Sequence, residues 1–233
     1  MTETEAKLLI QKHGWLSTEP VWVRDSILSR ARLRRLEAHQ FTFHAEDDPG
    51  GIYGVVSGGI GVMLPSGAAE MLLCHVLRLG VWFGTGPVMT GRPRTMSFKA
   101  MEPSEVLYLS LSSVAEIKAE YPKFAQSLGA LSESNYSRVA VRVIVDLMMP
   151  STERRIAATL VRMSQPEASS ELLPPWPIHL TQVELGQMAN ASRDRVGHAL
   201  RAFEARGWID VDYRVIRVKN LEALSRHAEK LGS

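Results

Sequence analysis

Residues 181–209 read TQVELGQMANASRDRVGHALRAFEARGWI, and this stretch gathers side chains able to do chemistry on a polyanion. On a helical wheel at about 100° per residue, Val196, Ala199, Leu200 and Phe203 share one side, while Arg193, Asp194, Gly197, His198 and Arg201 lie nearly opposite. A helix that buries the first set presents the second to a major groove. There an Arg can bridge O6 and N7 of guanine, an Asp can accept from cytosine N4, and Gly197 would let the backbone approach. Ser192 and the helix N-terminus behind it suit phosphate. The competing reading is an ordinary solvated helix face, and charge on one side alone would favour that reading.

The elements around this face argue for recognition. Thr181 is an N-cap and Glu184, three residues on, completes a capping box, so a first helix runs from Gln182 to about Ala189. Ser192 caps a second helix, about Arg193–Arg206. Asn190 falls where the turn between them needs a left-handed residue, and Gly186 allows a close helix crossing. WIDV-DYR-VIRV then reads as a hairpin, with Arg214 and Arg217 available to a nucleic-acid backbone. The expectation is a helix–turn–helix with a wing, and a DNA contact set of Thr181, Ser192, Arg193, Asp194, Gly197, His198, Arg201 and Arg214.

Upstream the texture differs. The first 40 residues read as helical, LRRLEAHQ (33–40) included. From Phe41, FTFHAEDDPGGIYGVVSGGIGVMLPSG and AEMLLCHVLRLGVWFGTGP are short Val-, Ile- and Phe-rich runs cut by Gly and Pro, which predicts a β-roll or barrel ending near Leu111. SSVAEIKAEYP is a short helix. KFAQSLGALSESNYSRVAVRVIVDLMM is a long one, roughly 40 Å at about 1.5 Å per residue. Its stripe of Leu128, Leu131, Val139, Val143 and Leu147 either packs on the β-domain or forms a two-helix dimer seam, and Asn135 and Tyr136 interrupt it. The fold class is thus α+β, in three parts. Residues 1–121 form a jelly-roll-like sensor domain with flanking helices, 122–149 a dimerisation helix and 150–233 a winged helix–turn–helix domain.

Composition sets limits. The chain has 233 residues, is 45% hydrophobic and carries a formal charge of +2, so affinity for nucleic acid has to come from a local patch. The single cysteine, Cys74, excludes a disulfide framework and multi-cysteine metal sites. Without an evident signal peptide or an apolar run of spanning length, a cytoplasmic protein away from membranes is expected. His44 and His75 could ligate a metal, but lone strand histidines are more often satisfied core or surface residues, so no metal site is assigned. Cys74, within MLLCHVL, reads as a buried strand thiol. No nucleophile–base pair, helically spaced carboxylate pair or metal cluster points to an enzyme.

ERRIAATL, the 181–209 stretch and VIRV together resemble the Crp/Fnr family of bacterial transcription regulators, one of the helix–turn–helix systems with known docking geometry. The resemblance is specific over about 150–220, and the β-roll and long helix match in order and length. It implies a homodimer, a palindromic double-stranded DNA site, and Arg193 and Asp194 as base readers, with His198 where cyclic-AMP-responsive members carry a second Arg. It also places a phosphate-binding cassette on FGTGPVMTGRPRTMSFKA (83–100), giving Gly84, Thr85, Arg94 and Thr95 as tentative ligand contacts. Thr85 stands where the family has a ribose-binding Glu, and Ala140 and Val141 where cyclic-AMP binders present hydroxyls. Losing the charged hydrogen bond to the ribose alone would cost about 1.5–3 kcal/mol, which argues against cyclic AMP as a tight effector and leaves another small effector, or none. The Pro-rich SSELLPPWP lies where activators of this family touch RNA polymerase, and Trp176 suits either that contact or packing on its own domain. The alternative function is a ligand-binding β-roll module acting mainly through protein contacts.

Overall fold

The structure, a computed structural model, describes residues 1–67, 70–165 and 175–229. Three helices open the chain: α1 (Glu3–Ile10), α2 (Gly14–Thr18) and α3 (Val21–Arg30). The strands β1 (Arg32–Leu36), β2 (Phe41–Phe43), β3 (Ile52–Ser57), β4 (Ile60–Ser66), β5 (Glu70–Leu77) and β6 (Trp82–Phe83) follow. Then come α4 (Thr85–Thr90), β7 (Ser97–Ala100) and β8 (Ser104–Leu109). Among the described residues these strands form two antiparallel four-stranded sheets, ordered β1-β8-β3-β6 and β2-β7-β4-β5. The roll begins earlier than its sequence texture suggests. RLRRL, expected as helix, is the edge strand β1, paired along its length with β8. Only Leu36 of that strand is buried, so its alternation is too weak to announce it.

Aromatic rings fill the space between the sheets. Phe83 stacks on Phe98 at 4.5 Å and on Tyr53 at 5.3 Å, with Phe43 4.9 Å from Phe98. On the outer side of the first sheet, Ile10, Trp82 and Leu109 join a second apolar cluster that also takes in Phe124, Leu128 and Leu131.

Those last three residues lie beyond α5 (Leu111–Glu120), on α6 (Phe124–Asn135). A π-helical turn at Tyr136–Ala140 leads directly into α7 (Val141–Leu147). The long helix is therefore present, but its stripe is divided. Leu128 and Leu131 are buried on the β-roll, whereas Leu147 is 39% exposed. The π turn adds one residue to the winding and so re-aims everything after it.

The C-terminal third comprises α8 (Thr152–Ser164), α9 (Gln182–Ala189), α10 (Arg193–Ala205), the hairpin β9 (Ile209–Asp212) and β10 (Val215–Val218), and α11 (Leu221–Glu229). The last helix was not anticipated. These helices share a core with the second sheet: Met63, Leu73, Val76 and Met101 cluster with Leu160, Met188, Leu200 and Phe203. A buried polar link crosses the same boundary. Arg162 of α8 donates from Nε to Asp146 of α7 (2.8 Å), and its Nη1 lies 2.7 Å from Nδ1 of His75 on β5. Burial, then the nearby Arg162 and Arg78 guanidiniums, hold the His75 imidazole well below its usual 6.5. A neutral ring can accept from Arg162, in keeping with the expectation of a satisfied core histidine.

The sign of the pH effect follows. Unfolded His75 gains a proton as the pH falls through about 6.5, whereas the buried ring resists it. The His75 contribution to stability is therefore whole above that pH. It is lost on the way down to the folded-state value, at up to about 1.4 kcal/mol per pH unit. His75→Gln, whose amide oxygen can still accept from Arg162, is expected to flatten the fall in Tm between about pH 7 and 5.5. An unchanged slope would contradict this role.

Candidate nucleic-acid interface and effector pocket

The two-helix unit is built largely by local rules. The Thr181 hydroxyl accepts from the Glu184 N–H at 3.1 Å, and the Glu184 carboxylate accepts from the Thr181 N–H at 2.8 Å, the expected capping box. Asn190 closes α9 in the left-handed region, φ 47° and ψ 59°. The chain then turns so tightly that a Cβ on Gly186 would sit 2.5 Å from the Ala191 carbonyl oxygen. Gly186 thus serves the turn backbone more than the helix crossing. Ser192 starts α10 by accepting from the Arg195 N–H at 3.4 Å.

Arg155, not anticipated as a functional residue, ties this turn to the connection between α7 and α8. Its guanidinium donates to the carbonyls of Ala189 (2.9 Å) and Asn190 (3.1 Å) at the end of α9, and to those of Met149 (2.8 Å) and Pro150 (3.2 Å) between α7 and α8. The only sequence signal was an arginine within ERRIAATL.

α10 buries Val196, Ala199, Leu200 and Phe203 as its wheel predicts. Arg193, Asp194, His198 and Arg201 are exposed on the other side. His198 is partly engaged already, its Nδ1 lying 3.2 Å from Nη2 of Arg201. Gly197 is a correction. It is buried, with the Gln182 side chain of α9 over it, so that an added Cβ would stand 3.4 Å from Gln182 Oε1. Its backbone is covered by the ends of two side chains, Gln182 from the preceding helix and Arg201 one turn on in α10. Thr181 is only half-buried, but its hydroxyl is committed to Glu184. At the wing tip Arg214 is exposed at φ 60°, beside Tyr213 at 90% exposure. Arg217 is ion-paired with Asp212.

The 83–100 segment brings together Gly84, Thr85 and Arg94, and leaves Thr95 exposed. Arg94 is buried and turned inward. It donates to the Gly51 carbonyl at 3.0 Å and lies 3.5 Å over the Phe43 ring. Its Nη1 is buried without a hydrogen-bond partner among the described residues. Desolvation, the largest influence, lowers its pKa from 12.5. Gly84, at φ 91°, makes room: a Cβ there would lie 3.2 Å from Arg94 Nη1. The Thr85 hydroxyl accepts from Ser132 of α6 at 2.7 Å, a neutral link to the long helix.

His44 is exposed and stacks on Phe41 at 4.3 Å. Cys74 is half-buried rather than buried, and desolvation raises its pKa, as befits a strand thiol of low reactivity. Trp176 is half-buried, with its N–H donating to the Ser164 carbonyl at 2.9 Å, while 169–174 of the Pro-rich loop fall outside the described residues.

Residues 154–227 match the Crp-like helix-turn-helix domain and residues 33–121 the cyclic nucleotide-binding domain. The chain belongs to the Crp/Fnr family of transcription regulators. It is 27% identical over 191 residues to a CRP-like cAMP-activated global transcriptional regulator of Mycobacterium tuberculosis, covering 80% of this chain and 84% of that protein. The fold matches FixK2 of Bradyrhizobium japonicum with a TM-score of 0.71 at 16% identity, over 87% of this chain and 99% of that one. It also matches the c-di-GMP responsive global regulator CLP of Xanthomonas campestris with a TM-score of 0.65 at 18% identity, over 85% and 99%. This Crp/Fnr regulator is thus α+β, with a β-sheet domain of the cyclic-nucleotide-binding type and a C-terminal helix–turn–helix DNA-binding domain. Among the described residues no helix is long and apolar enough to cross a membrane.

The burial of Gly197 has a direct test. Gly197→Ala removes a helix-interior glycine, worth about 0.5–1 kcal/mol, and meets ordinary contacts at the Gln182 and Arg201 side chains. It is expected to raise Tm slightly, and, since the methyl also touches the Arg201 guanidinium at 3.5 Å, to change DNA affinity by no more than about fivefold. A large loss of affinity would restore Gly197 to the DNA-facing surface.

Proposed function

We propose that this regulator binds a palindromic duplex as a homodimer, with α10 of each protomer in a major groove. The observation that carries this reading is the outward face of α10. Arg193 and Asp194 are exposed there at its first turn, and among the described residues neither is in an ion pair. Arg193 is the reader of a guanine and Asp194 of a cytosine amine, and Arg201 and Ser192 contact phosphates. Arg214 at the wing tip adds a backbone contact. The imidazole of His198 cannot form a guanidinium fork, so the half-site differs at that base from those read by two arginines.

Dimerisation is supported by α7. Val141, Ile144, Val145 and Met148 are 43, 51, 50 and 76% exposed, at the spacing of one helix face. Such a face is costly in water and suits a second copy of itself. RNA polymerase stays a further partner of the family type, through the region around Trp176.

The β-roll keeps an arginine for an anion, and its unpartnered Nη1 would gain from one. Relatives named for cyclic AMP or cyclic di-GMP make a nucleotide the natural class. With Thr85 engaged by Ser132 and no hydroxyl at Ala140 or Val141, cyclic AMP is not the tight effector we propose for it.

Two measurements test this reading. Arg193→Ala is expected to lower affinity for the preferred duplex by about tenfold or more, the size of one bidentate base contact, while random DNA is bound nearly as before. Equal loss on both would remove Arg193 as a base reader. Ile144→Asp is expected to shift the protein from dimer to monomer in sedimentation, and an unchanged dimer would place the seam elsewhere.

A further inference from the structure

Three arginines lie on the edge strand β1, and two of them face acids: Arg32 stands 3.7 Å from Glu3 and Arg35 3.2 Å from Glu105. Arg34 has no such acid among the described residues. Alternation along the strand puts it on the same face as Leu36, which belongs to the core between the sheets. There its guanidinium lies 3.6 Å over the Tyr108 ring. That contact uses one face of the guanidinium and leaves its N–H groups free. Tyr108 is the cross-strand partner of Tyr53, with the rings 4.8 Å apart. Tyr53 is only 6% exposed, yet neither phenol hydroxyl has a hydrogen-bond partner among the described residues. Burial raises the Tyr53 pKa from its usual 10.0, so this phenol stays a donor. Tyr53 in turn packs 5.7 Å from the Phe43 ring that carries Arg94, whose Nη1 lacks a hydrogen-bond partner as well. The nearby Asp47 carboxylate accepts from the His44 N–H at 2.7 Å and pairs with neither guanidinium among the described residues.

We propose that the β-roll takes a nucleotide carrying two phosphate groups, one on Arg94 and the second on Arg34, with the Tyr53 and Tyr108 hydroxyls donating to oxygens between them. This rests on the reading of Arg94 as an anion site and gives that site a second charge to recognise. Arg94 is buried and Arg34 exposed, so one phosphate is held deep and the other at the mouth. Each guanidinium offers a fork to phosphate oxygens. The long helix has no hydroxyl to offer at Ala140 or Val141. Arg34 and the two tyrosines supply polar contacts from β1, β3 and β8 instead. These strands lie side by side in a sheet whose far edge, β6, leads into the 83–100 segment. A ligand with a single phosphate seated on Arg94 leaves Arg34 without an anion, so affinity follows the number of phosphates.

The test is calorimetric titration of the full-length protein without DNA, so operator recognition does not enter. Cyclic di-GMP is compared with cyclic GMP, and adenosine 3′,5′-bisphosphate with cyclic AMP. In at least one pair the two-phosphate member is expected to bind at least tenfold more tightly. Arg34→Ala, at an exposed position, is expected to erase that preference while leaving the circular dichroism spectrum and any one-phosphate binding unchanged. Tyr108→Phe keeps the ring under Arg34 and is expected to weaken the two-phosphate ligand severalfold. The proposal is overturned if neither pair shows the preference, or if the preference survives Arg34→Ala. Where nucleotide binding then still depends on Arg94, the anion reading of that arginine stands without Arg34. If no probe binds saturably, both fall.

Discussion

The structure depends on one shared apolar core, in which the outer sheet of the β-roll and the DNA-binding helices bury each other. Leu73 and Val76 of β5 join Met188 and Leu200 in a single cluster, and Oε1 of Gln187 on α9 accepts from the Leu73 N–H at 3.3 Å. Apolar burial is worth about 25 cal/mol per Å² and has no direction of its own. Direction comes from the polar links that cross the same boundary. Arg162 reaches both Asp146 and His75, while Arg78 donates to the Pro177 carbonyl at 3.2 Å and pairs with Glu102. Buried ion pairs of this kind contribute little net stability against an apolar equivalent, but they penalise any arrangement that separates them. Together, core and links fix where α10 points relative to the β-roll.

The long helix divides its work at the π turn. Upstream of Tyr136 it belongs to the β-roll: Phe124, Leu128 and Leu131 are buried, and Asn135 donates to the Trp82 carbonyl at 2.7 Å. Downstream, its apolar residues turn outward while Asp146 turns inward to Arg162. The self-packing reading of the stripe thus holds for the half of the helix before the π turn, while the exposed apolar face after it is made largely of other residues, Val141, Ile144, Val145 and Met148. The hydrogen bond between Ser132 and Thr85 joins the first half to the 83–100 segment.

Much of this was legible in the chain because it rests on local chemistry. The capping box at Thr181 and Glu184, the left-handed Asn190 and the buried stripe of α10 each follow from side chains within a few residues of one another. What was missed depends on distant partners. RLRRL became a strand because β8 supplies its hydrogen bonds, and its own pattern, with a single buried leucine, could not say so. Gly197 faced outward on an isolated wheel, which has no knowledge of Gln182 on the neighbouring helix. Arg155 and the Asp146–Arg162–His75 link join residues far apart in the chain, and no spacing rule connects them. In the cassette the residue types were readable, but the inward turn of Arg94 onto Phe43 was not, since it depends on how the sheets meet.

The most direct test of the central claim is selection from a random duplex library with nucleotide-free, full-length protein, repeated with cyclic di-GMP. The expected result is an inverted repeat whose two half-sites lie about one helical turn apart, 10–10.5 base pairs centre to centre, with a guanine where Arg193 reaches. A motif without that symmetry, or no motif under either condition, would contradict a dimer reading DNA through α10.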